Sequence, residues 1–341
     1  MASDLTSADY EAAKAQWRSA RLAPLWESQV AFKEQALTPK SLVWHWSDVR
    51  PLIDQAIQFV SPANVERRVL LLYDPNLSAS TRATTTKGLN AGYQVLLPGE
   101  SARPHRHTMD AIRFILEGEG AVTVVDGKEC PMAEGDLVLT PGWCWHEHVH
   151  RGTRPMIWLD GLNSPLHRYL GTAEFEPGPV RGLPDMLPDA AFAVPNIVPE
   201  TGSASGGTHS PVFRYTYAAA CAALAAAPKG RDGARRVRYV NPVNGGPAMA
   251  LMDHHMVELD AGATTIPFRA NHHAVCCVVE GEGQSSVGDS VFAWGPKDVF
   301  TLPPGNWTVH RNGPHPSRLF VYSDREVFAR LGLLKEEYGN A

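Results

Sequence analysis

Two histidines separated by one residue, His105 and His107, are the residues of this chain best suited to chemistry. On a β-strand, side chains two positions apart leave by the same face, so these two imidazoles would point in one direction. A third histidine, His146, follows a segment whose pattern predicts a strand, a turn and a strand. Three imidazoles that converge from neighbouring strands form a metal site. The sequence therefore predicts a metal centre with His105, His107 and His146 as ligands.

Short strands form the predicted scaffold that positions these histidines. From Arg67 onwards, short apolar runs alternate with turn signals, and Asp126-Gly127 is the strongest hairpin signal in the chain. Many short strands with regular turns indicate an antiparallel barrel of the jelly-roll type, the architecture that includes the cupins. We therefore expect an all-β fold around the metal site.

The predicted ligand set lacks a carboxylate. A cupin usually carries a glutamate a few residues after its histidine pair, but those places hold Ala111 and Ile112 here. Three neutral imidazoles suit zinc, and they equally suit Fe(II) as a variant of the face of two histidines and one carboxylate. Because no ligand is charged, an anionic chelate such as an ortho-hydroxycarboxylate would offset the charge of the metal well.

The second half of the chain repeats this pattern without the histidine ligands. The run Glu117-Gly-Glu-Gly120 returns as Glu280-Gly-Glu-Gly283, which indicates an internal repeat and a second barrel. Alignment on the repeat places other residue types at the three ligand positions, namely Phe268, Ala270 and Thr308. We expect this degenerate barrel to bind no metal. Three histidines lie nearby but out of register with the ligands: His272, His273 and His310.

These patterns divide the chain into five parts. We expect an N-terminal helical segment at 1–60, the first barrel with the metal site at 61–165, an interdomain connection at 166–235, the second barrel at 236–325 and a C-terminal segment at 326–341. In the first part, apolar residues recur at helical spacing after Ser47, a natural N-cap. In the connection, the alanine-rich run from Tyr217 to Ala227 predicts one helix.

Composition limits the classes of function. The chain has 341 residues, of which 44% are apolar and 20% charged, which is typical of a globular protein with two domains. A formal net charge of -5 without a basic run argues against nucleic acid as a partner. The five cysteines form no CxxC pair and predict reduced thiols. Since no signal peptide and no membrane span is visible, we expect a cytoplasmic protein without a membrane partner.

Longer motifs around the histidines resemble those of the gentisate and salicylate 1,2-dioxygenases. They are Pro-His105-Arg-His107-Thr-x-x-Ala-x-Arg113-Phe-Ile-x-Glu-Gly-Glu-Gly, Pro-x-Trp-x-Trp-His146-x-His148 and Trp158-Leu-Asp160-Gly-Leu. The resemblance covers almost the whole chain, including the second barrel. It implies a bicupin, homotetrameric Fe(II) enzyme that takes a small aromatic ortho-hydroxycarboxylic acid and O2. Such an enzyme opens the aromatic ring between the carboxyl-bearing carbon and the adjacent hydroxyl-bearing carbon.

The resemblance also assigns roles to residues beyond the metal ligands. Arg113 has a rigid fork that suits a substrate carboxylate, and Gln94 matches a substrate-contacting glutamine. His148 shares the face of His146 on its strand and is expected to move a proton or to hydrogen-bond an oxygen at the metal. Asp160 is expected to orient a histidine from behind.

The chain departs from the family directly after His107. The family usually reads Thr-Gln-Ser-Ala-Leu-Arg there, whereas this chain carries Met109 and Asp110. Gentisate has a second hydroxyl para to the first, which would want a polar partner. With Met109 as a substrate contact, we expect a 5-substituted salicylate, such as 5-nitro- or 5-chlorosalicylate, with gentisate as the alternative. Three arginines remain open as further contacts of the substrate: Arg67, Arg68 and Arg82.

A different class of cupin remains as the remote alternative. A non-oxidative, metal-dependent isomerase would need no oxygen, and analysis of the metal separates it from an iron dioxygenase. A binding protein without catalysis would not preserve three ligands in one barrel and lose them in the other.

Overall fold

Two barrels of β-strands make up most of the protein. The computed structural model describes residues 7–22, 39–61, 65, 67–77, 83–194, 197–200 and 208–340. Helix α1 (Ser7–Ser19) belongs to the unit Met1–Pro39, and all other described elements belong to the unit Lys40–Ala341. Residues 23–38, part of the segment expected to be helical, lie outside the described residues. No helix in these described ranges is long and apolar enough to cross a membrane.

The helices of the larger unit are short. Within the described residues they are α2 (Trp46–Phe59), α3 (Ser164–Leu170), α4 (Tyr217–Ala226) and α5 (Arg325–Arg330), and a 3₁₀ turn lies at Asp189–Phe192. Helix α4 confirms the helix predicted from the alanine-rich run, and its N-cap Thr216 accepts a hydrogen bond from the Ala219 N–H at 3.2 Å.

Helix α2 begins before the position that its sequence predicts. Its N-cap is His45, and Ser47 lies inside the first turn, so the prediction of Ser47 as N-cap is wrong. The carboxylate of Asp298 accepts hydrogen bonds from the Trp46 N–H at 2.7 Å and from the His45 imidazole at 2.8 Å. The carboxylate of Asp298, which is remote in the sequence, thus accepts from the Trp46 N–H in the first turn. In most helices the side chain of the N-cap residue satisfies such an N–H.

Two sheets form the first barrel, with strands numbered β1 to β22 along the chain. The larger sheet contains β2 (Val69–Leu72), β3 (Asn90–Leu96), β5 (Ala111–Glu117), β8 (Leu137–Thr140), β10 (Met156–Leu162) and β12 (Arg214–Tyr215), in the order β12-β8-β5-β10-β3-β2. The smaller sheet contains β4 (Ser101–His107), β6 (Ala121–Val125), β7 (Lys128–Pro131), β9 (His146–His150) and β11 (Phe175–Pro177), in the order β11-β4-β9-β6-β7.

The second barrel has the same topology apart from one edge strand of its larger sheet, which precedes the barrel in the chain instead of following it. Its larger sheet contains β1 (Val43–Trp44), β13 (Arg235–Arg238), β14 (Asp253–Leu259), β16 (Ala274–Glu280), β19 (Val299–Leu302) and β21 (Ser317–Ser323), in the order β1-β19-β16-β21-β14-β13. Its smaller sheet contains β15 (Phe268–Ala270), β17 (Gly283–Val287), β18 (Ser290–Trp294), β20 (Thr308–Asn312) and β22 (Glu336–Tyr338), in the order β18-β17-β20-β15-β22. The prediction of an all-β fold with two barrels is confirmed.

The hairpin between β6 and β7 turns where the sequence predicts it. Asp126 and Gly127 both have positive φ, at 44° and 82°. Positive φ at both central residues is the geometry of a type I′ turn, whose twist matches that of the strands that it joins. Strand β6 pairs with β7 in this hairpin, and along its other edge it pairs with β9, the strand that carries His146.

Edge strands come from segments in which the sequence shows no strand pattern. Strands β11 and β12 lie in the stretch expected to be a connection, and they extend the two sheets of the first barrel. Strand β1 extends the second barrel by pairing with β19. Two or three residues are too few to show an alternating pattern of apolar and polar side chains. Such a segment becomes a strand through the neighbouring strand that it pairs with, so its sequence alone does not predict it.

The two larger sheets share one apolar core. Phe114 and Phe320 stack with their ring centroids 4.1 Å apart, and the Tyr322 hydroxyl donates to the Asn90 carbonyl at 2.9 Å. Ile53 of α2 is buried in the same cluster. Separate apolar clusters lie within each barrel. A continuous apolar core therefore joins the two barrels. Among the described residues, the cluster within each barrel holds no side chain of the other barrel.

Candidate metal centre

The three predicted ligands meet inside the first barrel. His105 of β4 and His146 of β9 are partners across the two strands, and His107 follows on the same face of β4. All three side chains are buried, and one ring nitrogen from each lies within 4.8 Å of the others. Among the residues that the structure describes, they are the only group of three such side chains placed to share a metal ion. The structure thus brings together the cluster that the sequence predicts.

Backbone carbonyls orient each imidazole. The Nδ1 atoms of His105, His107 and His146 lie 2.8, 2.8 and 3.0 Å from the carbonyl oxygens of Arg103, Met109 and Cys144. Because a carbonyl only accepts, each Nδ1 carries the proton and each Nε2 keeps its lone pair. The Nε2 atoms of His107 and His146 are buried and have no hydrogen-bond partner in the described part of the chain. Such an arrangement prepares imidazoles to bind a metal.

The electrostatics keep these imidazoles neutral. Burial is the main cause that lowers the pKa of His105 and of His107 to about 3, and the charge of Arg67 adds to it. Burial and the charge of Arg113 place the pKa of His146 well below its usual range. Neutral imidazole nitrogens are what a divalent metal needs, so the residues present fit a bound metal ion.

Of the two open arginines that the structure describes, Arg67 has its side chain at the site. Its guanidinium contacts Nε2 of His105. Arg68 instead binds the Glu100 carboxylate through two bonds of 2.8 and 3.0 Å and the Val60 carbonyl at 2.7 Å, so it supports the barrel wall. Arg82 lies outside the described residues.

Arg113 lies in the same interior and is fully buried. Its Nε is 3.3 Å from Oδ1 of Asp160, its partner across β5 and β10, and its Nη1 contacts the Thr140 hydroxyl. Burial lowers the pKa of Arg113 to about 10 although Asp160 opposes this, so the guanidinium is charged at neutral pH. Buried arginine with a fixed fork is suited to a carboxylate ligand.

Asp160 has partners other than those that the sequence predicts. Besides Arg113, its carboxylate accepts a hydrogen bond of 2.8 Å from the Trp158 indole. The expectation that Asp160 orients a histidine does not match these contacts, since the carboxylate fixes the guanidinium instead. The position on β10 places it across the ladder from Arg113, which the sequence alone could not pair with it.

Gln94 and His148 present unsatisfied polar atoms in the barrel. Gln94 is completely buried, and neither its Oε1 nor its Nε2 has a hydrogen-bond partner within the described ranges. His148 bonds through Nδ1 to the Thr123 hydroxyl at 2.8 Å, and its buried Nε2 is likewise without a partner there. Unpaired buried amides and imidazoles cost stability, which marks them as groups completed by a ligand.

Met109 lies two residues after His107, the last residue of strand β4. Its side chain is half-buried, with its sulfur 3.6 Å from the Thr108 hydroxyl, while its carbonyl accepts from His107. The neighbouring Asp110 fixes this loop because its carboxylate accepts from the Gly142 N–H at 2.9 Å. The Met109 sulfur therefore lies on a loop that His107, one of the metal ligands, helps to hold through its hydrogen bond to the Met109 carbonyl.

Three residues at the site were not predicted from the sequence. They are Thr123, which bonds to His148, Thr140, which contacts Arg113, and Phe175, whose ring stacks on His105 with centroids 5.4 Å apart. The sequence does mark the two threonines, because each is a hydroxyl residue at a buried position of an otherwise apolar strand. No sequence pattern marks Phe175, since it lies on the three-residue edge strand β11.

Comparisons with known proteins agree with this geometry. The cupin domain family matches residues 92–161. The chain is 34% identical to gentisate 1,2-dioxygenase 1 of Aquipseudomonas alcaligenes, over 92% of each chain. It is 32% identical to 5-aminosalicylate 1,2-dioxygenase of Comamonas sp, over 98% of this chain and 92% of that protein. Salicylate 1,2-dioxygenase of Pseudoaminobacter salicylatoxidans, crystallised as adducts with gentisate, is similar with a TM-score of 0.89 and 28% identity, over 100% of this chain and 97% of the other.

Proposed function

The chain belongs to the gentisate and salicylate 1,2-dioxygenase family, and we propose that it is an Fe(II) enzyme whose preferred substrate is a 5-substituted salicylate. As its motifs predicted, it is a ring-cleaving dioxygenase that acts on salicylate-type substrates. The observation that carries the proposal is the meeting of three neutral imidazoles with the buried charge of Arg113 in one barrel interior.

His105, His107 and His146 are the residues that would hold the metal. When bound, Fe(II) supplies a centre that accepts substrate oxygens and dioxygen together. Because the three imidazoles are neutral, the site favours a substrate that brings negative charge of its own. A carboxylate ortho to a hydroxyl on an aromatic ring meets that requirement.

Arg113 binds the substrate carboxylate in this proposal. Its guanidinium is already fixed by Asp160 and Thr140, so little side-chain entropy is lost when the substrate arrives. Gln94 offers one acceptor and one pair of donors that bind no residue of the described chain, and it orients the substrate through these atoms. Both side chains are buried, so the bound ring is separated from bulk water.

His148 holds or moves a proton at its Nε2. Thr123 fixes the ring through Nδ1, and the Trp158 indole lies against it with centroids 5.2 Å apart. A ring held on two sides keeps Nε2 in one place. General acid–base groups act only within hydrogen-bond reach of the proton that they transfer, so this positioning is part of the role.

Met109 supports the choice of substrate. A thioether is apolar and polarisable, and it suits a halogen or nitro group better than a hydroxyl that needs a hydrogen bond. The similarity to a 5-aminosalicylate 1,2-dioxygenase also favours salicylates substituted at carbon 5. Gentisate is the second candidate, because the chain is similar to a gentisate 1,2-dioxygenase and to a salicylate 1,2-dioxygenase crystallised with gentisate.

Oxygen uptake distinguishes these substrates. Rates are measured with gentisate, salicylate, 5-chloro-, 5-nitro- and 5-aminosalicylate, for the wild type and for Met109→Gln. We expect a 5-substituted salicylate to give the highest kcat/KM, and Met109→Gln to shift the ratio towards gentisate by about tenfold, the discrimination that one pocket contact supplies. A strong preference of the wild type for gentisate would overturn the choice of substrate and leave the family unaffected.

Reconstitution tests the metal. Apo-protein is prepared with a chelator and then receives Fe(II), Zn(II) or Mn(II) under anaerobic conditions. We expect oxygen uptake and ring cleavage to return with Fe(II) alone. Activity that returns with zinc, or turnover without oxygen uptake, would instead support the non-oxidative isomerase.

We also propose that the protein assembles as a homotetramer, as the family resemblance implies. Light scattering coupled to size-exclusion chromatography measures this directly. A mass of four chains is expected, and a mass of one chain would refute the assembly without bearing on the metal site.

A further inference from the structure

The carboxylate of Asp110 joins two loops beside the metal ligands. Asp110 is 9% exposed and directly follows Met109, whose carbonyl lies 2.8 Å from Nδ1 of His107. Its Oδ1 accepts a hydrogen bond of 2.9 Å from the Gly142 N–H. Gly142 belongs to a different loop, which connects strands β8 and β9. The loop that orients His107 is therefore tied to a second loop through one buried side chain.

The second loop contains the turn 141–144, which orients His146. The Cys144 carbonyl lies 3.0 Å from Nδ1 of His146, and the Cys144 N–H donates to the Pro141 carbonyl at 3.1 Å. Within this turn, Trp143 has a φ of 66°. A bulky side chain disfavours this left-handed conformation, so contacts with the surrounding structure must hold the turn in place.

Two hydrogen bonds hold the turn against the loop after His107. The Trp143 N–H donates to the His107 carbonyl at 2.6 Å, and the Gly142 N–H donates to Asp110. The approach is close, because a Cβ at Gly142 would lie 2.5 Å from the Thr108 carbonyl oxygen. Asp110 thus supplies one of two bonds that fix a strained turn next to a metal ligand.

Asn163 fixes the orientation of the Asp110 carboxylate. Its Oδ1 accepts from the Asp110 N–H at 2.9 Å, and its Nδ2 donates to Oδ2 of Asp110 at 3.3 Å. The Asn163 N–H also donates to the Asp110 carbonyl at 3.4 Å. Since Oδ2 is held by Asn163, Oδ1 is directed at the Gly142 N–H.

Polar contacts of the first barrel recur in the second. The Ser285 hydroxyl lies 2.7 Å from Nδ1 of His310, and the two residues are strand partners, as Thr123 and His148 are. A difference between the barrels at otherwise matched positions therefore indicates a requirement of the metal centre.

The pair of Asp110 and Asn163 also has a counterpart. Asp110 and His273 both lie seven residues before the repeated Glu-Gly-Glu-Gly run. The His273 N–H donates to Oδ1 of Asp324 at 2.7 Å, and the Asp324 N–H donates back to the His273 carbonyl at 3.2 Å. Both barrels therefore join these two loops through the same backbone groups.

The second barrel cannot form the bond between the turn and the carboxylate. Counted from the aspartate that precedes β8 and β19, Pro304 stands at the position of Gly142, and proline has no N–H. Gly305 stands at the position of Trp143 and keeps the other bond, to the Ala270 carbonyl at 2.7 Å. Its φ is 81°, which glycine adopts without strain. The additional bond is therefore found where the turn is strained and orients a metal ligand.

We propose that Asp110 is a positioning residue of the metal centre, which holds the turn 141–144 and thereby fixes the carbonyls that orient His107 and His146. The inference rests on the proposed role of these histidines as metal ligands. In this role Asp110 touches neither the metal nor the substrate, and it acts through the two backbone carbonyls.

Titration of the full-length, chelator-treated protein with Co(II) tests the proposal without measuring turnover. Co(II) binds to nitrogen ligands of the kind that take Fe(II), and its visible absorption reports the geometry of those ligands. We expect Asp110→Ala to weaken Co(II) binding about tenfold, the lower end of the cost of changing an outer contact of a metal site, and to alter the spectrum. Unchanged affinity together with an unchanged spectrum would refute the positioning role.

Exchange of the paired side chains gives an answer even if Asp110→Ala fails to fold. Asp110→Asn keeps the shape of the side chain, but whichever way the amide turns, one donor loses its acceptor. We expect weaker Co(II) binding from this variant. The double variant Asp110→Asn with Asn163→Asp again provides an acceptor for each donor, and it should restore the wild-type affinity and spectrum. A double variant that binds no better than Asp110→Asn would contradict the proposal.

Asp324→Asn is the matched control, because it changes the buried carboxylate of the corresponding pair in the second barrel. We expect it to keep the wild-type affinity for Co(II), and a loss equal to that of Asp110→Ala would mean a general structural effect. If the wild type binds Co(II) no more tightly than His107→Ala does, the three histidines are not the metal site and the inference falls with them. Failure confined to the Asp110 variants refutes the inference and leaves the metal site intact.

Discussion

The two barrels have the same strand order in both of their sheets apart from one edge strand, yet among the described residues only the first gathers metal ligands. At the paired positions, His105 and His146 in the first barrel correspond to Phe268 and Thr308 in the second. Both barrels keep a hydroxyl bonded to a buried imidazole, at 2.8 Å in one and 2.7 Å in the other. The comparison shows that the topology is independent of the chemistry, which is determined by a few inward-facing side chains.

Exchange at one ligand position tests the comparison most severely. His107→Ala is expected to lower kcat more than about a hundredfold, because even loss of an outer-shell partner costs roughly 10–100-fold. The reciprocal change in the second barrel, Ala270→His, should leave activity unaltered, since Phe268 and Thr308 stand where the other two ligands would be needed. Iron content and oxygen uptake measure both variants, and full activity with one ligand missing would show that the three histidines are not the metal site.

A change of the buried arginine separates charge from geometry. Arg113→Lys keeps the positive charge but loses the fork, and kcat/KM is expected to fall roughly 10- to 100-fold, chiefly through KM, as a charge-assisted bond of about 1.5–3 kcal/mol is lost. Arg318→Lys, in ion pairs of the second barrel, serves as the control and should retain wild-type kinetics. An unchanged KM would remove Arg113 from substrate binding.

The retained hydroxyl–imidazole pair allows a finer comparison. Thr123→Val is expected to lower kcat about tenfold, because His148 loses the bond that fixes its ring, and Thr123→Ser should restore most of the activity. Ser285→Ala removes the same bond in the second barrel and should not change the rate. Similar losses in both variants would indicate a structural effect in place of a positioning one.

A bridge between the barrels is expected to give the smallest effect. Nζ of Lys297 lies 3.0 Å from Oε1 of Glu117, and both side chains are partly exposed. Lys297→Met should therefore reduce the free energy of unfolding by no more than about 1 kcal/mol, whereas the apolar core between the sheets is retained. Urea denaturation measures this, and a much larger loss would mean that ion pairs, and not the core, join the barrels.

Much of this arrangement could be predicted from local sequence. The metal ligands were visible because spacing on a strand fixes the face of a side chain, and the Asp126-Gly127 turn because its geometry needs positive φ. The partner of Asp160 was not, since pairing of β5 with β10 joins residues that are distant in the chain. Likewise, the cap of α2 comes from Asp298, which no local pattern could associate with Trp46.

The pairing of β1 with β19 also has a consequence for the order in which the protein is made. Val43 pairs with Phe300, so the early strand waits for 257 further residues (300 − 43) before its partner exists. At about 5–20 residues per second, a ribosome needs roughly 10–50 s to supply them. During that interval Trp44 lacks its strand partner Val299, whereas Trp46 of α2 can already pack on Tyr93 of β3. We expect the nascent chain to depend on chaperones over this interval more than a protein with two consecutive, self-contained barrels would.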